Sequence, residues 1–115
     1  MWSLMPVDEF EQDGLVVSEA EGETTLRRPP LYKVLLHNDD FTSMEFVVFI
    51  LQTVFGRSEG EALQIMLNVH TEGIGVAGLY TYEIAEMKVG KVTSSAQANE
   101  FPLLCTMEEV SANGV

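Results

Sequence analysis

The sequence predicts an α+β domain: a β-α-α-β-α-β sandwich in which three helices cover a small antiparallel three-stranded sheet. Three observations predict it. Two capping-box patterns, Thr42-Ser43-Met44-Glu45 and Ser58-Glu59-Gly60-Glu61, each open a segment with apolar residues at helical spacing. Short alternating runs occupy residues 31–36, 74–80 and 103–107, with turn signals between them. A chain of 115 residues that is 46% hydrophobic has room for one core and not for two.

Residues 1–30 come first and look different from the rest. They hold the acids Asp8, Glu9, Glu11, Asp13, Glu19, Glu21 and Glu23 and no sustained periodicity, and they close with Arg27-Arg28-Pro29-Pro30. A residue before proline is pushed to extended backbone, so this end reads as a linker. The expectation is a flexible acidic arm over residues 1–30 and a folded core over residues 31–115.

In the core, Tyr32, Val34 and Leu36 alternate with Lys33 and Leu35, which predicts the first strand. The first capping box starts a helix that runs to about residue 55 and stops at Gly56. Met44, Phe46, Val47, Val48, Ile50, Leu51, Val54 and Phe55 leave it only a narrow polar stripe, on which Phe49 falls. The second box opens a helix carrying Ala62, Leu63, Met66, Leu67, Val69 and His70, with Gly73 as its stop. A Gly-rich strand follows over residues 74–80. Thr81 is placed to cap a third helix to about residue 98, with Ala85, Val89, Val92 and Ala96 on one face and Gly90 inside it. Leu103, Cys105 and Met107 alternate with Leu104 and Thr106 in a last strand.

Charge narrows the function classes. Eighteen acidic residues against six basic give a net charge of −12, which opposes nucleic-acid and anionic-membrane binding. No apolar run approaches the ~20 residues that span a bilayer, and the first residues lack the basic start and apolar stretch of a signal peptide. One cysteine forms no internal disulfide. A cytoplasmic monomer without cofactor or metal is expected.

The chemistry concentrates in the turn before the first helix, Asn38-Asp39-Asp40. If the first two helices form an antiparallel hairpin, the start of one lies beside the end of the other, and His70 meets that turn. Amide carbonyl, carboxylate and imidazole all accept hydrogen bonds from one compact donor. Met44, Val47, Met66 and Val69 would line an apolar hole alongside. A cationic head held by acceptors with an apolar body buried next to it describes a free α-amino group and a bulky first side chain. Each feature also has an ordinary structural role. Carboxylates favour helix starts, a histidine favours a helix C-terminus, and methionines fill cores.

Four blocks in order carry a resemblance: Val34-Leu35-Leu36-His37-Asn38-Asp39-Asp40-Phe41-Thr42-Ser43-Met44-Glu45-Phe46-Val47, then Met66-Leu67-Asn68-Val69-His70, then Thr81-Tyr82-Glu83-Ile84-Ala85-Glu86-Met87-Lys88-Val89, and Pro102-Leu103-Leu104-Cys105-Thr106-Met107-Glu108. Over residues 32–110 the chain resembles the ClpS family, adaptors that deliver substrates to a ClpA-type AAA+ unfoldase and its protease. The resemblance implies recognition of N-degrons, proteins beginning with Leu, Phe, Tyr or Trp. It places Asn38, Asp40 and His70 on the α-amino group, with Asp39 beside them and nearer the substrate backbone. It places Leu36, Thr42, Met44, Val47, Met66, Val69 and Leu103 around the side-chain pocket, with Met44 as a gatekeeper against β-branched first residues. Glu83 and Lys88 fall where the unfoldase N-terminal domain is contacted; without the resemblance they are exposed helix charges. The arm takes a role in hand-off, with Met1-Trp2-Ser3-Leu4-Met5 offering the unfoldase pore an apolar grip.

Departures are Phe41 and Ser43, where the family commonly has Tyr and Pro, and His37 and Phe49, which bear on pocket polarity and on a wider contact surface. Rival classes are weaker. A Cys105–His70 hydrolase would need a thiol that the strand pattern sends into the core. A metal site from His37, Asp39, Asp40 and His70 has usable ligands but no local ligand spacing. An interaction domain of ribosomal-stalk type shares the element order without requiring Asn38, Asp40 and His70 together.

Overall fold

The first strand pair lies ahead of the expected core. A computed structural model describes residues 16–20 and 23–110 of the chain, which divides into one unit up to Pro30 and another from Leu31. In the first unit, β1 (Val16–Ala20) and β2 (Glu23–Arg27) pair antiparallel, from Val16↔Arg27 to Ala20↔Glu23. The sequence predicts no element before Leu31, so this hairpin corrects the expectation for that stretch. Val16-Val17 and Thr24-Thr25-Leu26 are β-favouring residues in runs too short to show a period among the acids. The apolar Met1-Trp2-Ser3-Leu4-Met5 lies outside the described residues.

The second unit follows the predicted order: β3 (Leu31–His37), α1 (Met44–Thr53), α2 (Glu59–Glu72), β4 (Ile74–Thr81), α3 (Tyr82–Ala98) and β5 (Leu104–Glu109). The sheet is antiparallel with order β4-β3-β5. β3 sits in the middle, pairing from Leu31↔Thr81 to His37↔Ile74 on one side and from Tyr32↔Glu109 to His37↔Leu104 on the other. Its apolar run is what a central strand requires. The last strand begins one residue later than the alternation predicts, leaving the buried Leu103 just before it.

Residues of β3 that point to the helices, Val34 and Leu36, are fully buried, and join Ile50, Leu51, Ala62, Val69, Ala77, Ala85, Val92 and Cys105 in one core. The opposite sheet face carries Val76, Leu79 and Leu104, all exposed. The predicted inner stripe of α3 holds: Ala85, Val92 and Ala96 are buried and Val89 packs against them. Thr81 occupies the N-cap position of α3 but makes no side-chain cap bond.

Register slips once. Val34 pairs with Gly78 and Leu35 with Val76, so Ala77 is the extra residue of a β-bulge. Its carbonyl accepts from Arg57 Nε at 3.0 Å and Nη2 at 2.7 Å. A bulge frees a carbonyl from the ladder, and a guanidinium fork satisfies it.

Candidate functional site

The site is built where β3 hands the chain to α1. His37 pairs with Ile74, the residue directly after the α2 stop Gly73. The next residue continues that junction: Asn38 N–H donates to the Gly73 carbonyl at 2.9 Å. Sheet register therefore ties the Asn38-Asp39-Asp40 turn to the end of α2 that carries His70. Gly73 has φ of 90°, a left-handed conformation that glycine adopts without a Cβ penalty.

Asp39 organises the turn. Its Oδ1 accepts from Phe41 N–H at 2.8 Å and Thr42 N–H at 2.7 Å, and its Oδ2 accepts from the Thr42 hydroxyl at 2.7 Å. Burial by itself raises the Asp39 carboxyl, but these bonds from Thr42 and Phe41 together hold it below its ordinary value of 3.8. Because Thr42 is engaged by Asp39, it does not cap α1. Ser43 does, with extended backbone and its hydroxyl accepting from Phe46 N–H at 3.1 Å. The predicted Thr42–Glu45 capping box is thus corrected: a charged acceptor three residues upstream outcompetes the box and moves the cap by one residue. The second box forms as predicted, Glu61 N–H to Ser58 Oγ at 3.2 Å and Ser58 N–H to Glu61 Oε1 at 3.1 Å.

Between the turn, α1 and α2 lies a cavity of about 330 Å³. Its polar wall is Asn38, Asp39, Asp40, Thr42, Ser43 and His70, and its apolar wall is Met44, Val47, Met66 and Val69. Val69, Val47 and Met66 are buried and belong to the core, so the floor is rigid, whereas Met44 is 49% exposed at the rim. Asn38, Asp40 and His70 are exposed, which leaves their acceptors open to a ligand. The volume sits at the low end of the about 300–1,000 Å³ range of ligand pockets, a size for one residue rather than a large cofactor.

Nine of the eleven predicted pocket residues line this cavity. The other two do not: Leu36 and Leu103 are core residues, 0% and 6% exposed, because their side chains point from the sheet region into the helix packing. Ser43 lines the wall and was not predicted; the signal available was a serine directly before the first helical residue. Arg57 was also missed, since no local pattern reveals a bulge.

His37 does not line the pocket. It lies on the other side of β3, and its Nε2 and Thr106 Oγ1 share a hydrogen bond at 2.8 Å. Among the described residues no three of His, Cys, Asp and Glu gather as metal ligands. Burial pushes the Cys105 thiol up to about 12, far from a reactive thiolate. Glu83 is exposed in the first turn of α3, outside the pocket wall. Lys88 is half-buried: its Nζ donates to the Val54 carbonyl at 2.7 Å and lies 5.5 Å from the Tyr80 ring centroid. Desolvation, and then Lys91, hold its ammonium below the usual lysine value. Phe49 is 50% exposed, its ring 6.1 Å from that of Phe46. No described helix is long and apolar enough to cross a membrane.

The fold and the site define a small α+β module with an apolar pocket fringed by hydrogen-bond acceptors. Comparison with known proteins agrees on family and fold. Residues 27–106 match the family model "ATP-dependent Clp protease adaptor protein ClpS", and the chain belongs to that family. The ClpS adapter protein of Myxococcus xanthus is 53% identical over 98 residues, 85% of this chain and 92% of that one. The ClpS adapter protein of Desulfatibacillum aliphaticivorans is 56% identical over 104 residues, 90% of this chain and 98% of its own. The structure of Agrobacterium tumefaciens ClpS2 bound to L-phenylalaninamide superposes with a TM-score of 0.70 at 40% identity, covering 72% of this chain and all of that one.

Proposed function

We propose that this protein is an adaptor of the Clp protease that captures proteins by a free N-terminal Leu, Phe, Tyr or Trp and delivers them to a ClpA-type AAA+ unfoldase in the cytoplasm. The observation that carries the proposal is the cavity itself, in which Asn38, Asp40 and His70 share one wall with Met44, Val47, Met66 and Val69. The acceptors hold the α-amino group and the apolar wall takes the first side chain. L-phenylalaninamide, the ligand of the Agrobacterium ClpS2 structure, combines a free amine with a benzyl side chain.

Roles divide according to what each side chain already does. Asp40 is open to the amine, together with Asn38 and His70. Asp39 is committed to the turn by its bonds to Phe41 and Thr42, so it is a positioning residue. Leu36 and Leu103 support the pocket from beneath. Met44 at the rim selects against branching at Cβ, because a second atom there meets its thioether. Glu83 and Lys88 contact the unfoldase N-terminal domain, and residues 1–30 serve hand-off.

Energetics explain why both features are needed. Three charge-assisted hydrogen bonds contribute about 1.5–3 kcal/mol each and one large apolar side chain about 1.5–3 kcal/mol. Association costs about 4–15 kcal/mol. The side chain alone falls short of that cost and the three bonds, about 4.5–9 kcal/mol together, do little more than meet it, so tight binding needs both. The test is fluorescence anisotropy with two labelled peptides differing only in free or acetylated N-terminal Phe. The free form binds and the acetylated form does not; equal binding of both would refute amine recognition.

A further inference from the structure

A second cavity continues the first along the α1–α2 groove. It holds about 250 Å³ and is lined by Met44, Val48, Leu63 and Met66, with Glu45 as its one charged residue. Met44 and Met66 line both cavities and so form the partition between them.

The helices give this arrangement a direction. On α2, His70, Met66 and Leu63 follow one another toward the N-terminus at spacings of four and three residues, on one face. From His70 to Leu63 is about 10 Å along the axis. On α1, Val48 lies one turn beyond Met44. Asn38, Asp40 and His70 line the first cavity only. The groove therefore runs from the acceptors, across the first apolar pocket, to the second cavity. An extended peptide held by its amine at the His70 end advances about 3.3 Å per residue and points its first and third side chains to the same side, about 7 Å apart. The second cavity, lined by Leu63 and Met66 one to two turns from His70 on α2, is within that reach.

Its walls name the occupant. Four apolar side chains, with Leu63 43% and Met44 49% exposed, offer a surface for a straight aliphatic stem. Glu45 offers a carboxylate to a cationic head that stays in water. The lining contains no basic residue, and the chain's net charge of −12 repels an acidic occupant. We propose that this cavity is a subsite for the third residue of the bound N-terminal peptide and that it takes lysine or arginine. The proposal rests on the N-degron reading above and extends it from the first residue to the third.

The experiment uses the full chain and peptides Phe-Ala-Xaa followed by a fixed neutral sequence, with Xaa Lys, Ala or Glu, each free and acetylated, plus a control with the lysine moved to position five. Among free-amine peptides, Lys at position three binds about threefold more tightly than Ala and Glu about threefold more weakly, the scale of a solvent-exposed ion pair. Glu45→Gln and Leu63→Ser each remove the lysine advantage, and moving the lysine to position five removes it too. Equal affinity for Lys, Ala and Glu among tightly bound free-amine peptides overturns the subsite while leaving N-degron recognition intact. A lysine advantage that survives the move to position five overturns it as well, since general charge attraction then suffices. Free peptides that bind no better than acetylated ones overturn the N-degron reading and the subsite with it.

Discussion

Replacing Asp39 by alanine removes the carboxylate that accepts three hydrogen bonds within four residues of chain, two from backbone N–H groups and one from the Thr42 hydroxyl. Bonds to a charged acceptor are worth about 1.5–3 kcal/mol each when well desolvated, but Asp39 is only half-buried and water can replace it, which brings each nearer about 1 kcal/mol. The expected loss is about 2–3 kcal/mol in all, or a fall in Tm of about 10–20 °C for a domain of this size. Asp39→Asn keeps Oδ1 as the acceptor for both N–H groups but loses the charge and the Oδ2 acceptor of the Thr42 hydroxyl, so it costs about 1–2 kcal/mol. Urea melts and anisotropy with a Phe-initiated peptide are run on the same samples. Stability and affinity fall together in the order parent, Asn, Ala. The pH dependence follows from the sign of the shift: the folded carboxyl titrates below its ordinary value of 3.8, so its contribution is complete above that value and is lost as pH falls below it. Asp39→Asn lacks this component of acid unfolding. An alanine variant as stable as the parent refutes the turn-building role. An unchanged melt with binding abolished in both variants would instead put Asp39 on the substrate.

Three further outcomes are expected. A Cβ on Gly75 would meet Val69 Cγ2 at 2.6 Å; Val69 is β-branched and buried, so Gly75→Ala costs about 1–3 kcal/mol by overpacking and, by shifting a pocket wall, weakens peptide binding in the same titration. Lys88→Met loses the bond to the Val54 carbonyl and lowers stability by about 1 kcal/mol, whereas the exposed Glu83→Lys leaves the melt unchanged and weakens pull-down of the unfoldase N-terminal domain. Deleting residues 1–25 leaves peptide affinity unchanged and stops degradation of a Phe-initiated reporter in a reconstituted unfoldase-protease assay; undiminished degradation would remove the arm from hand-off.

The sequence by itself determined the six core elements in order, the second capping box, the Gly73 stop and the inner stripe of α3, because these rest on periodicity and on bonds spanning three or four residues. Eight residues of the cavity wall followed from the helix-hairpin reading, and the family resemblance added Thr42. What it missed has a common physical cause. The Asp39–Thr42 bonds compete with a cap that looks equally good on paper, and only the folded turn shows which acceptor wins. The β1–β2 pair depends on two short runs meeting each other. The bulge at Ala77 and the Arg57 fork across it join residues twenty apart. Leu36 and Leu103 share the pocket's neighbourhood, but packing turns them into the core. His37 sits one residue before the pocket turn, yet the pleat of β3 sends it to the opposite face. That same strand, by pairing His37 with Ile74, sets Asn38 against Gly73 and so brings the turn to His70. Residue types were legible along the chain; their convergence around one amine-sized opening was decided by sheet register, which no local pattern encodes.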